Sequence, residues 1–387
     1  MNGIGKKGIG ERYLWKGAMV KEQDIHISLQ DRGYVFGDGL YEVVRVYNGK
    51  LFGLKRHLDR LFQGADVIDF NLQYTREEFE GFFQQLVEEN DLHSGYVYMQ
   101  LTRGDASIRN HLYPGREDQR PVLSGFAVHA PRNVKKIQAG TTAISVEDIR
   151  WKYCHVKTLN LIPNCMARSE AKRKGAGKAI LVKDGIVTEE KSGSILIVQD
   201  GCILTHVENE DILPSTTKKI LEALCEQEQI PFREGNFTLD ELYAADEVIV
   251  ADTNTECSAV LKVDGHTIRD GKPGPILKQL LKHMKPPSLR SAAKPNRYGR
   301  KHQLPNLCRN PYSANSGKRD AAEAASHSRN EVYGSRKREC VRSWNRAVCT
   351  GDGRFMRLVW NSHHAGGVAC AKRIRRKADS CFWLCIG

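Results

Sequence analysis

Long apolar runs are missing from this 387-residue chain. None approaches the roughly 18 residues that a bilayer-crossing helix needs, which excludes a helical membrane protein. A charged-then-apolar opening is missing too. So is any cysteine pair with metal-ligand or redox spacing among Cys154, Cys165, Cys202, Cys225 and Cys257, the five cysteines of residues 1–285. These absences point to a reducing cytoplasm rather than to secretion or a disulfide scaffold. Positive charge is missing from the same body. Residues 286–387 carry 21 Lys plus Arg against 6 Asp plus Glu, a net of +15, which leaves −2 for residues 1–285 although the whole chain is +13. A near-neutral body has no nucleic-acid footprint and is expected to act on a small molecule, with neither nucleic acid nor membrane as partner.

Periodicity divides the chain. Residues 1–10 read as a flexible leader, 11–130 as an N-terminal α+β domain, 131–285 as a second domain and 286–387 as a basic disordered tail. In the first domain, Tyr13-Leu14-Trp15 and Ile25-His26-Ile27 read as short strands. A glycine-rich turn from Asp31 to Gly39 precedes a strand from Leu40 to Tyr47. Leu54, Leu58, Leu61, Phe62 and Ala65, then Phe79, Phe82, Phe83, Leu86 and Val87, recur at helical spacing, the second set after the capping-box pair Thr75 and Glu78. Strands are expected at Tyr96 to Leu101 and Val122 to Val128, with a polar loop from Thr102 to His111 between them. In the second domain, Asp184-Gly185, Asp200-Gly201 and Asp264-Gly265, like Asn48-Gly49 earlier, are hairpin turns. Pro163 and Thr216 open helices, and Thr238 with Glu241 caps a shorter one. Cys381, Cys385, His363 and His364 in the tail match none of the common zinc spacings, and no metal is expected.

Lys157 stands in an apolar run, between Val156 and Leu159-Asn160-Leu161-Ile162, where a solvated lysine is out of place. A lysine amine held partly deprotonated by burial or nearby positive charge can form a Schiff base with an aldehyde cofactor. Alone, this pattern is as compatible with a surface lysine whose stem snorkels.

Six motifs in series resolve the ambiguity: Asp31-Arg32-Gly33-Tyr34-x-Phe36-Gly37-Asp38-Gly39-x-Tyr41-Glu42-Val43, His57-Leu58-Asp59-Arg60-Leu61, Thr102-Arg103-Gly104, Arg109-x-His111, Asp148-Ile149-Arg150-Trp151 and Lys157-x-Leu159-Asn160. Together they resemble the D-amino-acid (D-alanine) aminotransferases, over about residues 13 to 275. The resemblance implies a two-domain α+β fold of fold type IV and pyridoxal 5′-phosphate as cofactor. It implies D-amino acids and 2-oxo acids as substrates, and a homodimer. Lys157 would carry the cofactor and move the substrate proton, and Glu189 would pair with the pyridine nitrogen. Arg60, Thr216, Thr217 and Thr253 would hold the phosphate, with Arg150 on the cofactor side. Tyr41, Arg109 and His111 would trap the substrate α-carboxylate, the last two from the partner subunit. Branched-chain L-amino-acid aminotransferases and aminodeoxychorismate lyases share the fold, but Arg109-x-His111 argues against both. A degenerate, non-catalytic member with a basic nucleic-acid-binding tail is the remaining alternative.

Three positions depart from the family pattern. Glu190-Lys191 stands where small residues usually follow the glutamate, bringing bulk and charge near the ring. Ser215 replaces a glycine, and Asp252 replaces a serine at the phosphate. A carboxylate about 4 Å from a phosphate charge costs roughly 4 kcal/mol at an effective dielectric near 20, about a thousandfold in affinity. Asp252 is therefore expected to point away from the phosphate; the alternatives are that it is protonated, that it is paired with a cation, or that cofactor binding is weakened.

Overall fold

Period-two alternation in β strands and helical spacing between them build two sheets in the structure, a computed structural model that describes residues 8–105, 109–284 and four short later stretches. The first sheet uses β1 (Ile9–Trp15), β2 (Ala18–Val20), α1 (Arg32–Phe36), β3 (Gly39–Tyr47), β4 (Lys50–Leu51), α2 (Leu54–Val67), α3 (Arg76–Glu88), β5 (Ser94–Thr102) and β6 (Val122–His129). Its strands run β2-β1-β6-β5-β3-β4, antiparallel throughout. One face is apolar and buried: Val44, Val46, Val97, Met99, Leu101 and Leu123 pack against Leu58 and Leu61 of α2 and Phe79, Phe83 and Leu86 of α3. Each such side chain contributes about 1.5–3 kcal/mol when fully buried. Thr75 and Glu78 form the capping box of α3.

Two expectations differ near the start. Strand β1 begins at Ile9, inside the segment read as a leader. Ile25-His26-Ile27 is not a strand: a 3-10 turn spans Glu22–Asp24, and Ile27 is exposed, so its alternation faces no core. The glycine-rich turn contains the short helix α1, capped by Asp31, whose side chain accepts from Gly33 and Tyr34 N–H.

The second sheet follows with α4 (Val134–Ala139), β7 (Thr141–Glu147), α5 (Ile162–Arg173), β8 (Lys178–Lys183), β9 (Ile186–Glu190), β10 (Ser194–Gln199), β11 (Cys202–Thr205), α6 (Thr216–Glu228), β12 (Phe232–Glu234), α7 (Leu239–Tyr243), β13 (Glu247–Asp252), β14 (Glu256–Val263), β15 (His266–Thr267) and α8 (Pro275–His283). The order is β12-β11-β10-β13-β14-β7-β8-β9, with β15 on β14. Continuous apolar runs such as Ile195-Leu196-Ile197-Val198 mean burial on both faces. Ile195 and Ile197 enter one core with Val248 and Val250, while Leu196 and Val198 enter another with Leu221, Leu224, Leu277 and Leu280 of α6 and α8. The four pairs read as hairpin turns, Asn48-Gly49, Asp184-Gly185, Asp200-Gly201 and Asp264-Gly265, all join antiparallel neighbours.

In the tail, the described residues are four short strands, Arg346–Cys349, Phe355–Trp360, Ala369–Lys372 and Phe382–Trp383, in one antiparallel sheet. Cys381, Cys385, His363 and His364 lie outside the described residues. Among the described residues no helix is long and apolar enough to cross a membrane, and no cluster could hold a metal ion.

Candidate active site

Strand β3 pairs with β5 along its length, but β4 covers only the Val46–Tyr47 end of its other edge. The segment around Lys157 docks on the part left open. Tyr41 N–H donates to the Lys157 carbonyl at 3.1 Å, and Leu159 N–H to the Gly39 carbonyl at 3.0 Å. Close approach requires glycine here: a Cβ on Gly39 would lie 2.4 Å from the Leu101 carbonyl oxygen and 2.7 Å from a Leu159 methyl. Gly37 adopts φ 69°, a left-handed conformation, and its carbonyl accepts from the Asn160 amide at 3.2 Å. The two sheets thus meet at the lysine.

Lys157 Nζ sits 4.3 Å from the centre of the Tyr41 ring, in an intermediate environment. No carboxylate pairs with it among the described residues. Tyr41 stacks on Tyr98, which stacks on Phe126, one aromatic row across the sheet. The amine opens into a cavity of about 420 Å³. Tyr41, Arg60, Arg150, Glu189, Lys191, Ser194, Ser215, Thr216, Asp252 and Thr253 are among its lining residues.

At one end stands Glu189 on β9. The Arg150 guanidinium donates to Glu189, and binds Asp148 through Nε at 2.8 Å and Nη2 at 2.6 Å. Burial pushes the Glu189 carboxyl up to about 7, while Arg150 and the Leu213 N–H oppose that rise. Strand alternation settles its neighbour: Glu190 is fully buried and does not line the cavity, so of the pair only Lys191 reaches it.

At the other end α6 begins. Ser215 is its N-cap, accepting from Lys218 N–H at 3.1 Å, so the departure from glycine supplies a cap. The first N–H groups of any helix lack intrahelical acceptors and favour an anion. Thr216 lines the cavity, whereas Thr217 is buried outside it. Behind them Glu42 accepts from Arg60 Nε at 2.7 Å and Nη2 at 2.8 Å, and from His57 Nδ1 at 2.8 Å. Burial lowers the His57 pKa. A neutral ring donating through Nδ1 leaves Nε2 to accept from the Thr216 hydroxyl at 3.3 Å. Arg60 Nη1 also donates to the Pro214 carbonyl at 2.7 Å, tying α2 to the turn before α6. The sequence placed Glu42 and His57 in motifs without giving them roles. The signal was there: His57 and Arg60 are one helical turn apart, and Glu42 points opposite to Tyr41 on its strand.

Asp252 is among the residues that line the cavity, and its carboxylate is paired with Lys178 Nζ at 2.9 Å, the cation pairing that stood as an alternative to pointing away. It also accepts from Asn254 N–H, Thr255 N–H and the Thr255 hydroxyl at 2.6–2.8 Å. Desolvation alone would raise its pKa; Lys178 and Thr255 overcome that and lower it.

Arg109 and His111 are exposed and do not line the cavity of their own chain. Both pack on Phe36, at 4.9 Å and 5.3 Å from its ring centre.

Pyridoxal 5′-phosphate fits this donor set. An amine can be presented by Lys157, an acceptor for a ring nitrogen by Glu189, and an anion site by α6 and Arg60. The Ser194 hydroxyl, buried at the cavity wall without a partner, supplies a further donor.

Residues 39–263 match the amino-transferase class IV family. The D-alanine aminotransferase of Staphylococcus epidermidis is 41% identical over 264 residues, 68% of this chain and 93% of that protein. That of Listeria monocytogenes is 40% identical over 262 residues, 68% and 91% of the two chains. Among solved structures, the branched-chain amino acid aminotransferase from Escherichia coli aligns with a TM-score of 0.64 at 22% identity, over 70% of this chain and 92% of that one. A branched-chain aminotransferase from Thermoproteus uzoniensis with norvaline aligns at 0.62 and 23%, over 71% and 93%. At such identities the structural likeness speaks for the fold alone.

Proposed function

Because the chain belongs to the class IV aminotransferases, we infer that it moves the amino group of D-alanine and similar D-amino acids to a 2-oxo acid such as 2-oxoglutarate, using pyridoxal 5′-phosphate. The observation that carries this reading is the convergence of Lys157, Glu189 and the α6 N-terminus on one cavity. The relatives named D-alanine aminotransferase supply the substrate class. The structures named branched-chain aminotransferase share only the fold.

When bound, the cofactor supplies an electron sink for the carbon that loses its proton. Lys157 would hold the cofactor, and its Nζ would take the proton from the substrate Cα. Tyr41 walls the amine on one side. Glu189, held by Arg150, would pair with the ring nitrogen. Thr216, Thr253 and Arg60 anchor the phosphate, and Glu42 with His57 fixes Arg60 and Thr216.

The substrate carboxylate is trapped by Tyr41 with Arg109 and His111 of a second copy, since neither of the last two reaches its own cavity. A homodimer is therefore the smallest active unit. Exposed apolar side chains near these loops, Tyr34, Leu112 and Tyr113, suit burial between copies. We place the enzyme in the cytoplasm, where the free thiols of Cys154, Cys165, Cys225 and Cys257 remain reduced.

One experiment tests both levels. Turnover of D-alanine with 2-oxoglutarate, compared with L-alanine, should favour the D-isomer and vanish in Lys157→Ala, with loss of the visible absorbance that borohydride removes. Mixing Lys157→Ala with Arg109→Ala through unfolding and refolding should restore roughly a quarter of parental activity, because half the dimers then hold one complete site. A mixture as inactive as its components would reject the shared site; preference for L-alanine would reject the substrate.

A further inference from the structure

Two carboxylates outside the mechanism stand near the end of the cavity where α6 begins. Asp252 closes β13 at 8% exposure and lines the cavity beside Thr253; Glu190 closes β9 at 0%. A buried carboxylate is costly unless it is paired. Each of these has its own amine. Lys178, at the start of β8, places Nζ 2.9 Å from Asp252 Oδ2 and 3.9 Å from Glu190 Oε2. Lys191 Nζ stands 3.8 Å from the other Glu190 oxygen, and the Ser192 N–H and hydroxyl donate to Oε2 at 2.9 Å and 3.1 Å. The four charges sum to zero within a few ångströms.

We propose that Lys178 is a positioning residue for phosphate binding: it cancels the charge of Asp252, so that Thr253, Thr216, Arg60 and the α6 N-terminus can hold a phosphate beside a carboxylate. The proposal rests on the phosphate placement given above. Its physical ground is the size of the competing terms. A helix N-terminus offers about half an elementary charge, which one unpaired carboxylate at the same wall would outweigh. The Arg60 charge is already shared with Glu42. Lys178 is the cation bonded directly to the carboxylate of Asp252, a residue of the cavity wall. It needs no contact with the ligand, because it acts through Asp252.

A structural salt bridge and a charge-cancelling one make opposite predictions. Apoprotein is titrated with pyridoxal 5′-phosphate and, separately, with pyridoxal, which lacks the phosphate. Lys178→Met should weaken the phosphorylated compound roughly 30-fold or more, the scale of one unpaired charge a few ångströms from a phosphate, and leave pyridoxal within about 3-fold. Asp252→Asn should shift the phosphorylated compound the other way. The double variant should return to within about 3-fold of the parent. Equal losses for both compounds, weaker phosphate binding in Asp252→Asn, or a double variant no better than Lys178→Met would each overturn the proposal. Should Lys178→Met fail to fold, the other two variants decide. Thr253→Val separates this from the site reading. If it leaves the preference for the phosphorylated compound intact, the phosphate placement fails; if it reduces the preference while Lys178→Met does not, only the role of Lys178 fails.

Discussion

The two ends of the cavity contain the same buried unit, a cation between two carboxylates, and use it in opposite ways. At the Glu189 end, Asp148 takes two donors of Arg150, and Glu189 keeps one arginine contact and long contacts of 3.4 Å to the Leu213 N–H. Its carboxyl, raised to about 7 by burial, remains able to accept from a cationic ring nitrogen. At the Asp252 end, Lys178, two backbone N–H groups and a hydroxyl all donate to the Asp252 carboxylate, which is saturated. A carboxylate in a binding site is thus attractive or silent according to how many donors it already has.

The largest break in this comparison is expected from Glu189→Gln. A neutral amide cannot hold the ring proton, and turnover should fall on the order of 10²-fold or more at saturating cofactor; steady-state rates with D-alanine check this. Next comes Asp148→Asn. It removes the stronger partner of a buried guanidinium, and should lower stability by roughly 3 kcal/mol in urea unfolding of the apoprotein. Asp252 has three donors besides Lys178, so loss of a single one there should cost less.

The smallest effect is a pH slope. Glu189 keeps its proton in the folded state up to about 7, from an ordinary value of 4.5, so the folded apoprotein binds more protons than the unfolded chain between those values. Its contribution to stability therefore falls as pH rises through that window. Asp252, with its pKa lowered, contributes above the ordinary carboxylate value and loses that contribution as pH drops below it. Melting temperatures of the parent and Glu189→Gln apoproteins from pH 4.5 to 7 should differ by a declining leg present only in the parent.

Much of the site could be read from the chain because its chemistry is local in sequence. Lys157 stood out as a lysine in an apolar run, but its role, like those of Thr216 and Glu189, came from the resemblance carried by six short motifs, each local in sequence. The turns and caps were legible for the same reason: Asn48-Gly49 and Thr75 with Glu78 act within four residues. What escaped was long-range. Lys178 lies 74 residues from Asp252, and nothing near either announces the pair. Pairing with a cation was one of the fates open to Asp252, but the sequence offered no means of naming the cation. Ile25-His26-Ile27 failed as a strand because alternation marks a strand only where one side finds a core.

The docking of the Lys157 segment on β3 has a consequence for measurement. Two amide protons, those of Tyr41 and Leu159, are shielded only while the two sheets remain together at the lysine. Their exchange with deuterium is a clock for the opening of the catalytic centre. Bound cofactor should slow both by the same factor, because a single lift of the segment exposes the pair.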